Sequence, residues 1–218
     1  MESFLNINNI FFTFLGYQMS YIEFFGTIFN IWSVWLVAKN KILNWPIGLI
    51  GTVLFTALFW QIHLYSDFLE QIYYFVTGIW GWWVWSQSNK SNKKDNTEKD
   101  ITVLKRNVQL LWLLVITIGT VILGYVTSHL SIWLPIYFPT TASFAYLDAF
   151  TTVVSFVATI LLIRKKLDAW YLWILIDIIG IWLYWVKGVH FVSLLYVVFL
   201  ILATKGLLNW LSIRNKNK

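Results

Sequence analysis

The sequence predicts an all-α integral membrane protein: seven transmembrane helices, arranged as 3+1+3 with parallel repeats. Three observations carry this. Hydrophobic residues make up 59% of the 218 and charged ones 12%, against about 25% charged in an ordinary globular domain. Seven apolar runs reach or approach the roughly 17–25 residues that a helix needs to cross a bilayer. The last three runs repeat the first three at a fixed offset of 125 residues.

In chain order, residues 1–20 form an N-terminal interfacial segment. Residues 3–16 are apolar with Asn6, Asn8 and Asn9 interspersed; they are too short to span and are expected as an interfacial helix or a disordered lead-in. No basic stretch precedes them, so no cleavable signal peptide is expected. The spanning runs lie near residues 21–38, 46–62, 70–87, 108–127, 146–163, 170–187 and 191–210. The first three form a bundle over 21–87. Residues 88–107, rich in Asn, Lys, Ser and Asp, read as a solvated basic linker. A connecting transmembrane helix follows at 108–127, then the second three-helix bundle at 146–210 and a basic tail at 211–218.

Of the 16 Lys and Arg, all but Lys187 fall on one side of this alternation. The positive-inside rule then places the N-terminus outside and the C-terminus in the cytoplasm. Because these charges flank spans, the pI near 9.4 does not indicate nucleic acid.

The repeat is legible residue by residue. Trp45, Trp60 and Trp85 match Trp170, Trp185 and Trp210, where fewer than one coincidence would arise by chance. Lys41/Lys166, Leu58/Leu183 and Gly81/Gly206 fall on the same offset. Each repeat holds three spans, an odd number, so the fourth span returns the second repeat to the orientation of the first.

Candidate site residues come from polar or aromatic groups inside spans. Trp170, Trp173 and Asp177 share one helical face, which Gly180 and Tyr184 extend. A carboxylate at such depth costs about 2.5–3.5 kcal/mol on insertion scales, so it faces a partner, a cavity or a ligand. Asn30 lies midway along the first span, and Thr52 is the repeat counterpart of Asp177. In the third span Gln71, Tyr74, Gly78, Gly81 and Trp85 form one stripe, matched in the seventh by Tyr196, Phe199, Ala203, Gly206 and Trp210. Trp182 reaches close to the midplane off the Asp177 face. Trp60, Trp80, Trp82, Trp83, Trp133 and Trp210 sit near span ends and read as interfacial anchors. The expected substrate-binding set is Asn30, Thr52, Gln71, Tyr74, Trp173, Asp177 and Trp182. Aromatic faces with one buried carboxylate suit a flat cation. Glu2, Glu23, Asp67, Glu70 and Asp148 bias the opposite side from the Lys and Arg clusters toward negative charge.

Other chemistries lack their parts. There is no cysteine, and His63, His129 and His190 are dispersed without ligand spacing, so neither a metal site nor a cofactor is expected. No Walker A pattern and no nucleophile–base pair occurs, so the chain does not read as an enzyme.

Asn44-Trp45-Pro46-Ile47-Gly48, Gln71-x-x-Tyr74 running into Gly81-Trp82-x-x-Trp85, and Trp170-x-x-Trp173-x-x-x-Asp177 resemble the PnuC family of vitamin-precursor transporters. The resemblance covers nearly the whole chain after residue 20. It implies a fold similar to that of SWEET sugar transporters, nicotinamide riboside as substrate, and residence in the bacterial inner membrane. It also implies a homotrimer, and downhill import followed by cytoplasmic phosphorylation. Thiamine-carrying relatives share the frame and move a flat cation as well.

Overall fold

The computed structural model describes residues 4–14, 16–62, 65–95, 101–137, 143–188 and 190–216. Glu2 and His63, named above, lie outside the described residues. A short hairpin, β1 (Ile10–Phe14) and β2 (Tyr17–Ser20), precedes seven helices: α1 (Tyr21–Ala38), α2 (Asn44–Gln61), α3 (Tyr65–Asp95), α4 (Arg106–Trp133), α5 (Ala145–Ile163), α6 (Asp168–Val186) and α7 (His190–Lys216). Among the described residues α1, α4, α5, α6 and α7 are each long and apolar enough to cross a membrane. α2 touches both α1 and α3, so the polar and small residues that dilute its apolar character sit in protein contacts rather than in lipid. α3 owes its lower hydropathy to Asp67, Glu70 and Gln71 near its start, to its Ser-, Asn- and Lys-rich end, and to its Tyr and Trp.

The first helix of each predicted repeat ends in the same way. α1 ends on Asn40 with φ 53°, and α5 ends on Lys165 with φ 52°. Both turns close with the same pair of bonds: Asn40 N to Val37 O and Lys41 N to Leu36 O, and Lys165 N to Leu162 O and Lys166 N to Leu161 O, all between 2.9 and 3.0 Å. This is the 6→1 and 5→2 pattern of a Schellman terminus, which saturates the last carbonyls of each helix. A left-handed lysine is an uncommon solution, since a side chain there costs about 1–2 kcal/mol.

The chain divides into two compact units, Met1–Asp100 with Lys205–Lys218, and Ile101–Thr204. In the first, small residues set the helix spacing, as expected where lipid supplies no hydrophobic drive between helices. A Cβ at Gly26 would come within 2.7 Å of the Phe55 ring, and one at Gly51 within 2.9 Å of Asn30. Gly81 receives the ring of Trp45 directly. Trp45 meets Trp85 edge-on at 5.5 Å, and Trp85 meets Trp210 at 6.3 Å. Trp210 is fully buried, and its Nε1 donates to Val37 O at 3.1 Å while Asn209 donates to Ala38 O. The reading of Trp210 as an interfacial anchor is therefore corrected: its indole holds the end of α1. Trp60, Trp82, Trp83 and Trp133 do face outward.

One further expectation is corrected. The N-terminal segment is neither a helix nor a disordered lead-in. β1 pairs with β2 antiparallel around Gly16, whose φ of +85° permits the reversal. The linker expected at 88–107 carries more structure than its composition suggested. α3 continues helically to Asp95, and Ile101 is buried. Thr102 forms a parallel bridge with Lys166. Leu104 N and Gln109 Nε2 both donate to the Asp168 carboxylate, at 2.9 and 2.8 Å. Asp168 opens α6, where a carboxylate is favoured by the helix dipole, so the segment leading into α4 is tied down within the second unit.

Candidate substrate site

In the second unit α6 carries the buried acid. Asp177 lies nine residues beyond Asp168, about 14 Å along the axis, near the middle of the helix. It is 3% exposed, and no group among the described residues hydrogen-bonds its carboxyl. An uncompensated buried carboxyl is expensive, so a fold that keeps one has a use for it. One turn on, Gly180 leaves room for the ring of Tyr196 from α7, which a Cβ would approach to 2.5 Å. Tyr196 then stacks on Tyr184 with centroids 5.3 Å apart and planes 19° from parallel. Ser193 Oγ donates to Ile181 O at 2.7 Å, fixing the α6–α7 register. The stripe Asp177, Gly180, Tyr184 expected from spacing is therefore real, and α7 furnishes its aromatic wall.

Trp173 is half-buried on the same helix, one turn before Asp177. Trp182 is 53% exposed and meets Phe144 edge-on at 5.9 Å. Five residues from Asp177, it points off the Asp177 face, and the structure does not bring the two together. At the end of α6, Lys187 Nζ lies 2.7 Å from Asp148 and 5.6 Å above the Tyr184 ring. That lysine is thus already paired with a carboxylate.

In the first unit Asn30 donates its Nδ2 to Gly26 O at 2.9 Å and packs against Gly51. That places it in the α1–α2 seam. Thr52 is buried and donates to Gly48 O at 2.9 Å, leaving its oxygen lone pairs as acceptors. Gln71 and Tyr74 are half-buried on α3, with Tyr74 edge-on to Tyr73 at 5.6 Å. Gly78 abuts Leu49 and Gly81 abuts Trp45, so that part of the α3 stripe is helix packing. Tyr184 and Tyr196 are absent from the expected set. Their signal was present, because Tyr184 extends the Asp177 face and Tyr196 is the repeat counterpart of Gln71. Their contact across α6 and α7 was not encoded by spacing. Among the described residues no cluster of His, Asp or Glu could hold a metal ion.

Comparison with known proteins agrees with this architecture. The family model described as nicotinamide mononucleotide transporter matches residues 20–212. The chain is 32% identical to the nicotinamide riboside transporter PnuC of Escherichia coli, over 90% of this chain and 87% of that one. It is 29% identical to the transporter of the same name from Neisseria mucosa, over 88% and 72%. A solved crystal structure of the vitamin B3 transporter PnuC shares the fold, with a TM-score of 0.65 at 23% identity, covering 88% of this chain and 81% of that one. All of these are transporters rather than enzymes. With a match spanning its seven helices and a relative at 32% identity, the chain belongs to the nicotinamide mononucleotide transporter family of multi-pass membrane proteins.

Proposed function

We propose that this chain imports nicotinamide riboside, and not the mononucleotide of the family description, by facilitated diffusion. The observation that carries the choice is Asp177, buried mid-helix with no hydrogen-bond donor among the described residues. The riboside is a flat pyridinium cation with an uncharged sugar. It supplies the positive charge the carboxylate lacks and a ring for an aromatic wall. The mononucleotide adds a phosphate, which requires Arg, Lys or a helix N-terminus. Within the seven expected spans only Lys187 and Lys205 occur, both near span ends, and Lys187 is paired with Asp148.

In this reading Asp177 pairs with the pyridinium, while Trp173 and Tyr74 offer faces for stacking. Thr52 and Gln71 supply hydrogen bonds to the ribose. Asn30 shapes the seam behind Thr52, and Trp182 stands outside the pocket. Substrate binds near the midplane between two three-helix bundles, residues 21–87 and 146–210. The N-terminus is outside, the C-terminus is in the cytoplasm of a bacterial inner membrane, and three copies assemble. The names of the two PnuC relatives support the substrate.

The test is uptake of labelled riboside, mononucleotide and thiamine into proteoliposomes without an ion gradient. Riboside should equilibrate and mononucleotide should stay outside. Equal entry of the mononucleotide, preferential thiamine uptake, or strict dependence on a proton or sodium gradient would overturn the proposal.

A further inference from the structure

The family match begins at residue 20, so the hairpin lies outside it. Residues 3–22 contain no Asp, Glu, Lys, Arg or His; Met19, Ser20 and Ile22 are buried against the protein, but the rings before them are not. Phe4, Phe11, Phe12 and Tyr17 are 39–47% exposed. Their rings gather with the first turn of α1: Phe11 lies 4.8 Å from both Tyr21 and Phe24, Phe4 lies 5.5 Å from Phe25, and Phe12 lies 5.8 Å from Phe24. Pairing partners share a face, so Phe12, Met19 and Tyr17 occupy one side of the hairpin while Thr13 and Gln18 occupy the other. The hairpin is rigidly attached. Ser20 ends β2 and caps α1, accepting from Glu23 N. Tyr17 Oη donates to the Glu23 carboxylate. Gln61, at the end of α2, donates to Leu5 O at 2.7 Å and accepts from Ile7 N at 3.1 Å. Burial, the bond to Glu23 and that carboxylate's charge all push the Tyr17 phenol up, so it stays a donor.

We propose that this hairpin is an in-plane membrane anchor whose aromatic cluster beds into the headgroup–acyl boundary of the bilayer. Continuity with α1 fixes its depth, because no loop intervenes between Ser20 and the spanning helix. Half-exposed rings without charge suit that boundary, where amphipathic rings collect, and do not suit open water. The polar Thr13 and Gln18 face is turned to the aqueous side. Pinning the ends of α1 and α2 at one depth gives the first unit a fixed footing in the membrane.

The chain has no cysteine, so single-site spin labelling needs no background removal. Phe12→Cys and Thr13→Cys would be labelled in the full-length protein in phosphatidylcholine–phosphatidylglycerol bilayers. Collision with oxygen would be compared with collision with a water-soluble nickel chelate. The oxygen-to-nickel ratio at position 12 should exceed that at position 13 several-fold. Phe4→Cys provides the same contrast if the Phe12 variant does not purify as a folded protein. Equal, water-like ratios on both faces would overturn the anchor. So would strong dipolar coupling between labels on neighbouring copies, since the rings would then be covered by protein.

Discussion

Asp177→Asn is nearly isosteric, and its effects on binding and stability should have opposite signs. The carboxyl is 3% exposed and unpartnered among the described residues, so its attraction for a cation is little screened. At 4 Å and an effective dielectric near 20, that attraction is about 4 kcal/mol. Allowing for the hydrogen bond that the amide can still accept, the loss should be about 2–4 kcal/mol, or roughly 30- to 1000-fold in Kd. The empty protein should respond the other way. Removing an uncompensated acid relieves an insertion cost of about 2.5–3.5 kcal/mol, so the substituted protein should melt at the same temperature or higher. Calorimetric titration of nicotinamide riboside in nanodiscs, with a melting curve on the same sample, reads both quantities. An unchanged Kd in a well-folded Asn variant would remove Asp177 from the site. Weakened binding with a lowered melting temperature would mean that the carboxyl is a structural group.

Other expectations follow from contacts. Gly180→Ala puts a methyl 2.5 Å from the Tyr196 ring, which should cost about 1–3 kcal/mol by overpacking and weaken substrate binding. Gly78→Ala, where the neighbour is the flexible end of Leu49 at 3.0 Å, should be milder in thermal melts; the reverse order would refute the packing argument. Gln61→Leu removes two bonds to the N-terminal segment, about 1 kcal/mol each. Amides of residues 5–10 should then exchange faster by an order of magnitude, and unchanged exchange would show that the ring cluster alone holds the segment. Asp168→Ala frees Leu104 and Gln109 and should speed tryptic cleavage after Lys105 or Arg106. An unaltered digestion rate would show that the Thr102–Lys166 bridge suffices.

Asn30 shows why spacing identified the site only in part. Its place in the middle of an apolar run marked it as functional, but the chain itself satisfies its Nδ2 through Gly26 O. Asp177 drew the same inference and has no such partner among the described residues, because a carboxylate cannot donate to its own helix carbonyls as an amide or hydroxyl does. Trp210 and Trp60 both sat near span ends. One is buried with its Nε1 bonded to Val37 O and the other is 60% exposed, a difference set by which helix lies alongside.

By itself the sequence determined the membrane class, the seven helices with starts to within about five residues, and the Asp177 stripe. These depend on local periodicity and composition, and the backbone has no alternative to helices in lipid. Tertiary structure decided what covers each face. Tyr196 seated on Gly180, the linker bound to Asp168, and the hairpin clasped by Gln61 all join residues that are distant in sequence or follow no period. Such contacts are selected by volume and hydrogen-bond satisfaction between neighbouring elements, and those quantities exist only once the helices have packed.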